Sequence, residues 1–296
     1  METVEALKKK IKCAEDLRSI VKTMKALAAV SIRQYEKAAE SLAEYNRTVE
    51  MGLQIAMRNK PEEVVMAKPG PSRYLGAIIF GSDQGMCGPF NEQVVSYAID
   101  KMKGLGISRK NRILWAVGIR AVASLEAAGE VVNEYFSVPG SAAGIAPVVR
   151  EILMKIEEWR ARGKLDQVIL FYNKLVSVSS YRACALHLLP VDIDWVLKLE
   201  KRAWPSRVLP TFTMSWKPLV SSLIRQYFFV SLYRAFAESQ ASENVSRLSS
   251  MQGAERNIED RLKELTAQFH RVRQSSIDEE LFDIVGGFEV LTEKEV

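Results

Sequence analysis

The chain has 296 residues, 48% of them apolar and 26% charged, a globular mixture that excludes wholesale disorder. With 41 basic and 36 acidic side chains its formal charge is +5, too small an excess at this size to make nucleic acid the expected partner. The longest apolar runs fall far below the roughly 18 residues of a membrane-crossing helix. The expectation is therefore a chain without a direct membrane span. Its first residues lack the apolar core of a signal peptide. Cys13, Cys87 and Cys184 are odd in number and widely separated, which points to a reducing compartment rather than a disulfide framework. His187 and His270 are the only histidines, and no Cys/His cluster has zinc-ligand spacing, so no metal site is expected.

All ten prolines lie between Pro61 and Pro218. Proline interrupts helices, so its absence outside that window permits long helices at both ends. In the first segment Leu7, Ala14, Val21, Ala28, Tyr35, Leu42 and Val49 fill every position of one seven-residue series. The companion series begins at Val4 and Ile11 and is carried on, one residue earlier, by Leu17, Met24, Ala38 and Tyr45. Such a drifting seam is what a gently wound partner helix requires. The pattern predicts a helix over residues 3–57, about 80 Å long at ~1.5 Å per residue. Its basic run Lys8-Lys9-Lys10-Ile11-Lys12 has no interleaved aromatics and reads as a solvated face.

The middle alternates short apolar runs with helical spacing. Strands are expected at residues 74–80, 113–117, 131–136, 168–172 and 181–188, and helices at 91–102, 119–128 and 147–162. This is the pattern of a mostly parallel, Rossmann-like α/β domain. His187 falls within an apolar strand and reads as a core residue. Residues 137–146 read as a loop with no visible chemistry.

One connection invites a chemical reading. Gly81-Ser82-Asp83-Gln84-Gly85-Met86-Cys87-Gly88-Pro89-Phe90 joins a strand to a helix, where α/β proteins cradle phosphates on backbone N–H groups. Its spacing matches neither glycine-rich phosphate motif, and Pro89 removes a donor. A tight structural turn explains it as well. Cys87, near a helix start that would lower its pKa, is a nucleophile only if a base stands beside it; Asp83 and Glu92 are the sole nearby acids in sequence. No catalytic residue and no cofactor site is assigned.

The last segment repeats the heptad theme. Val220, Tyr227, Ala241, Leu248, Leu262 and Phe269 form one series. Leu223, Val230, Ala237, Met251, Ile258, Leu265 and Val272 form the other, with Arg234, Asn244 and Glu255 interrupting. A helix is predicted over residues 219–284, weakened slightly at Gly253 and ending near Gly286-Gly287. The fold class is thus α/β: a long antiparallel coiled coil of N- and C-terminal helices plus a Rossmann-like α/β middle domain. The domains are residues 1–60, 61–217 and 218–296. Charge divides along them: residues 1–60 carry 12 basic and 8 acidic groups, whereas residues 276–296 carry 1 and 7. A mildly basic body ends in an acidic tip.

The same segments carry a resemblance. Ile20-Val21-Lys22-Thr23-Met24-Lys25-Ala26-Leu27-Ala28-Ala29 resembles the motif that opens the gamma subunit of F-type ATP synthases. Ser82-Asp83-Gln84-Gly85-Met86-Cys87-Gly88-Pro89-Phe90-Asn91 is similar to that family's loop SDRGLCGGLN. Glu238-Ser239-Gln240-Ala241-Ser242-Glu243-Asn244 with Arg247, the run from Arg273 to Leu281, and Ile284-Val285-Gly286-Gly287 resemble its closing motifs. The likeness covers most of the chain and is loose at about residues 95–165 and 191–217.

The resemblance implies the rotating central stalk of a peripheral complex on the cytoplasmic side of a bacterial inner membrane. The partners it implies are the alpha and beta subunits of a catalytic hexamer, an epsilon subunit and a membrane ring of c subunits. Met24, Lys25, Arg247, Arg273, Gln274, Asp278 and Glu279 are the implied hexamer contacts, with Arg247 close to Met24 and Lys25. Met24 reads equally as a coiled-coil packing residue. Asp83, Gln84 and Cys87 fall on the implied ring or epsilon side. Gln84 and Pro89 depart from the family's arginine and glycine, which puts the contacts of that loop in doubt. The implied stalk has no catalytic site of its own and couples either protons or sodium. Its exterior is expected to be small and polar, as a sliding surface requires. The alternatives are a coiled-coil scaffold without rotary function, and a small α/β enzyme with an unusual phosphate loop.

Overall fold

The computed structural model describes residues 3–62, 72–177 and 180–292, with side chains as far as residue 285. Helix α1 spans Val4–Arg58 and α6 spans Trp216–Thr292. Between them stand β1 (Leu75–Phe80), α2 (Phe90–Gly104), β2 (Arg112–Val117), α3 (Ile119–Ala127), β3 (Val132–Phe136), α4 (Ile145–Ala161), β4 (Gln167–Ser177), β5 (Ser180–Leu189) and α5 (Ile193–Lys201). Inter-residue contacts gather into two compact units, residues 1–27 with 248–296, and residues 28–247.

The larger unit is built on one sheet in the order β3-β2-β1-β4-β5. The first four strands are parallel, and β5 returns antiparallel along β4 as an edge strand. Side chains alternate across it, as the two-residue period of a strand demands. Ile78, Phe80, Trp115 and Leu170 face α4 and α6, while Ala77, Ile79, Leu114 and Phe171 face α2 and α3. Burial on both faces explains why β1 reads as an unbroken apolar run. On the edge strand β5, His187 is exposed and lies 3.2 Å from the Gln167 amide, so it is a surface residue and not the core residue expected. Helix α5 was not legible; its amide at Asp194 is capped by the Asp192 carboxylate.

Within this unit α1 and α6 run antiparallel. The Tyr45 hydroxyl reaches Gln226 at 2.8 Å, and the Trp216 indole donates to the Ala56 carbonyl at 2.6 Å. The smaller unit has the same sense: Lys8 lies over the Phe269 ring, Arg18 pairs with Glu259 at 2.8 Å, and Lys25 pairs with Glu255. Every member of the series from Leu7 to Val49 is buried or half-buried, as are the two series on α6. The drifted companion is not uniformly buried: Leu17 and Tyr45 are exposed, because the seam turns away from them.

Both helix ends of α6 differ from expectation. It begins at Trp216, since Pro218 then sits in the first turn, where its missing N–H costs nothing. It passes through Gly286-Gly287 to Thr292, because glycine weakens a helix by only about 1 kcal/mol and need not end it. Asp278, Glu279, Glu280 and Asp283 therefore stand well inside the helix, beyond the reach of an unfavourable terminal dipole. Among the described residues no helix is long and apolar enough to cross a membrane.

Candidate functional site

The connection from β1 to α2 is a tightly bonded turn. Asn91 folds back on it: its side-chain oxygen accepts from the Ser82 amide at 3.0 Å and its nitrogen donates to the Ser82 hydroxyl at 2.9 Å. Asp83 accepts from the Ile119 amide at 2.8 Å, the Tyr135 hydroxyl at 3.1 Å and the Val138 amide at 2.7 Å. One carboxylate thus ties the carboxyl ends of β1, β2 and β3 together. Gly118, at φ +95, is the point of closest approach, where a Cβ would come within 2.7 Å of the Ser82 backbone. Residues 137–146, expected to be inert, supply the Val138 amide and the Pro139 and Ala142 carbonyls that accept from Tyr35 and Tyr233.

In a doubly wound sheet a ligand binds beyond the carboxyl ends of the strands, where the winding reverses. Here that point lies between β1 and β4, and helix α6 stands in it. The Ser242 hydroxyl is shared between the Asn173 carbonyl of β4 (3.0 Å) and the Glu238 carbonyl one turn earlier on its own helix (2.8 Å), and the Asn173 side-chain amide donates to the Phe90 carbonyl at 3.0 Å. Ser246 donates to the Cys87 carbonyl and meets the Tyr181 hydroxyl of β5 at 3.0 Å. Arg247 pairs with Glu243 one turn earlier, donates to the Asn244 side-chain oxygen at 3.2 Å, and reaches the Gln84 carbonyl at 3.4 Å. Ser239 through Arg247 are all buried, and seven of the nine are polar. Burial pushes the Glu243 carboxyl above the ordinary carboxylate value, with Arg247 and the Gln240 amide working the other way. The chain's own helix therefore occupies the crevice that a phosphate loop would serve.

Cys87 is buried 3.6 Å from both the Ser82 hydroxyl and the Asn91 amide. Burial pushes its thiol up rather than down, opposite to the effect expected of a helix start, and Glu92 is exposed to solvent. Asp83 is half-buried and directed at its own fold, so on this loop the outward side chains are Gln84, Met86 and Pro89. Met86 holds the left-handed φ of +59 that few side chains adopt, a feature no spacing rule reveals.

In the smaller unit Met24 is half-buried, and Lys25 is engaged by Glu255. The hydrogen bond from Lys25 holds the Glu255 carboxyl below the ordinary carboxylate range. In the larger unit the Arg247 guanidinium is held by Glu243 and the Gln84 carbonyl. Lys8 faces Phe269 near the start of α1, so among the described residues α6 beyond about residue 273 has no stretch of α1 left to pair with. There Arg273, Gln274, Asp278 and Glu279 are exposed, together with Ile277, Leu281, Phe282, Ile284 and Val285. Leu17, Ile20 and Leu27 of α1 are exposed as well. The expectation of a small, polar exterior is thus corrected: the apolar stripe is wider than one partner helix covers, and its surplus faces solvent. Burial alone, not heptad position, distinguishes these residues.

A family model described as ATP synthase matches residues 3–291. The ATP synthase gamma chain of Syntrophus aciditrophicus is 28% identical over 304 residues, covering 98% of this chain and 99% of that one. The gamma chain of Rhizobium leguminosarum is 28% identical over 306 residues, covering 98% and 100%. Among solved structures, a chain of the Euglena gracilis mitochondrial ATP synthase (OSCP/F1/c-ring, rotational state 3) aligns with TM-score 0.63 at 16% identity, covering 99% of this chain and 96% of that one. A chain from the central stalk and c-ring of the Tetrahymena thermophila mitochondrial enzyme aligns with TM-score 0.56 at 20% identity, covering 79% and 99%.

Proposed function

The chain belongs to the ATP synthase family and is built as one of its gamma subunits, and from that premise we propose how it works within the complex. The free end of α6 seats in a ring of alternating alpha and beta subunits, and the α/β unit engages an epsilon subunit and a membrane ring of c subunits. Ion flow, of protons or sodium, turns the ring and this chain together. The uneven surface of the turning helices then drives the beta sites in sequence. The chain contributes no catalytic group, and the assembly sits peripherally on the cytoplasmic face of a bacterial inner membrane.

The observation that carries this reading is the exposed stripe Ile277, Leu281, Phe282, Ile284 and Val285 on unpaired helix. A soluble chain rarely leaves such a patch open, and the patch is what a protein socket would cover. The acids Asp278, Glu279, Glu280 and Asp283 alternate with it, so the socket should present basic groups beside apolar ones.

Co-expression with alpha and beta subunits tests the proposal. The expected product is an ATP-hydrolysing complex that retains this chain through purification. A chain that purifies alone as a stable self-associated species, while alpha and beta assemble without it, favours the scaffold alternative. Met24→Lys separates the two roles of that residue: impaired coupling in an assembled complex supports a contact with the hexamer, whereas failure to assemble supports packing.

A further inference from the structure

Residues 239–247 of α6 are encased on all sides although most are polar. Folding stability does not account for this choice. Buried ion pairs such as Arg247–Glu243 are seldom better than apolar residues of the same size. Ser239 Oγ and Arg247 Nε are buried without a hydrogen-bond partner among the described residues, which is a net cost. An apolar helix would fill the crevice between β1 and β4 more cheaply.

What apolar packing lacks is direction. Burial of hydrocarbon is non-directional, so an apolar interface holds a helix's angle through shape alone. Hydrogen bonds weaken steeply as their angle departs from linear, and a satisfied buried network stiffens its surroundings. The bonds here approach α6 from separate elements: Ser242 from β4, Ser246 from the β1–α2 connection and from β5, and Arg247 from Gln84. Because Asp83 ties that same connection to the ends of β2 and β3, a twist of α6 about its axis is opposed by the sheet as a whole.

We propose that this encased polar segment is a torque joint, a hydrogen-bonded key by which the α/β unit and helix α6 turn without slipping. The inference rests on the rotor reading and names the positioning residues that serve it: Ser242, Ser246 and Arg247.

The test uses the assembled complex with alpha and beta subunits. A bead is attached to the α/β unit through a biotinylated cysteine at the exposed Lys110 (Lys110→Cys), with the exposed Cys13 replaced by serine. Angular fluctuation of the bead is recorded while rotation is paused at limiting ATP. Ser242→Ala with Ser246→Ala should about double the angular variance, since the directional restraints on the helix are removed while its packing remains. ATP hydrolysis per complex should stay unchanged. Ser249→Ala, at an exposed position on the same helix, should leave the variance as it was. An unchanged variance in the double variant overturns the joint. If the double variant does not assemble, Ser246→Ala alone is read by the same two outcomes. Should the unmodified chain form no ATP-hydrolysing complex, it is the rotor reading that fails.

Discussion

Along α6, residues 239–247 are largely polar yet buried, whereas residues 277–285 are rich in large apolar side chains that lie exposed. The two stretches share one continuous helix, and each inverts the usual sorting by polarity. Their difference separates two demands on a long helix. Where it meets its own sheet, the inner contacts are directional; at the other stretch, large apolar side chains face outward. Composition alone would assign them the opposite places.

The strongest way to break the contrast is Glu243→Ala, which strands the Arg247 guanidinium in a buried site. We expect a loss of about 3–5 kcal/mol in urea unfolding. Joint replacement by Glu243→Leu and Arg247→Met should recover most of it, because both charges then go together. A recovery no better than the single variant would show that Arg247 holds the Gln84 carbonyl for stability rather than for alignment.

A smaller effect of opposite sign is expected at Gly253, between the two stretches. A Cβ there meets nothing within 4 Å, so Gly253→Ala should stabilise the helix by up to about 1 kcal/mol, read from the thermal midpoint. At the exposed end, Leu281→Ser with Phe282→Ser should change the stability of the isolated chain by less than about 0.5 kcal/mol. The same pair should weaken retention in the alpha–beta complex, and equal retention would remove the apolar end as a seat.

The smallest effect concerns pH. The Lys25 hydrogen bond holds Glu255 below the ordinary carboxylate range, so its contribution is complete above that range and is lost as pH falls through the lowered value. Far-ultraviolet circular dichroism should show that acid loss of helix in the intact chain, and Lys25→Met should remove it. A titration unaltered by the substitution would mean that the pair does not tie the helices in solution.

Legibility differed between these regions for physical reasons. The heptad series from Leu7 to Val49 and those on α6 were readable because a buried helix stripe must recur every three to four residues. Strand β1 was readable because burial on both faces leaves no polar position in it. The loop from Gly81 to Phe90 was recognisable as a strand-to-helix turn, but its sequence could not reveal that Asp83 faces inward or that Cys87 is sealed by Ser82 and Asn91. Nor could Asn244, which reads as an interruption of a heptad, announce a buried polar segment.

The sequence by itself determined the two long helices, the α/β character of the middle and the family, because periodicity, proline placement and local motifs are carried by near neighbours along the chain. Only the tertiary structure decided that the helix fills the sheet's own crevice, that His187 is exposed, that Lys25 is paired, and which apolar residues are left uncovered. Each of those depends on groups brought together from distant parts of the chain. A side chain's partner, unlike its helical face, is set by packing and not by spacing.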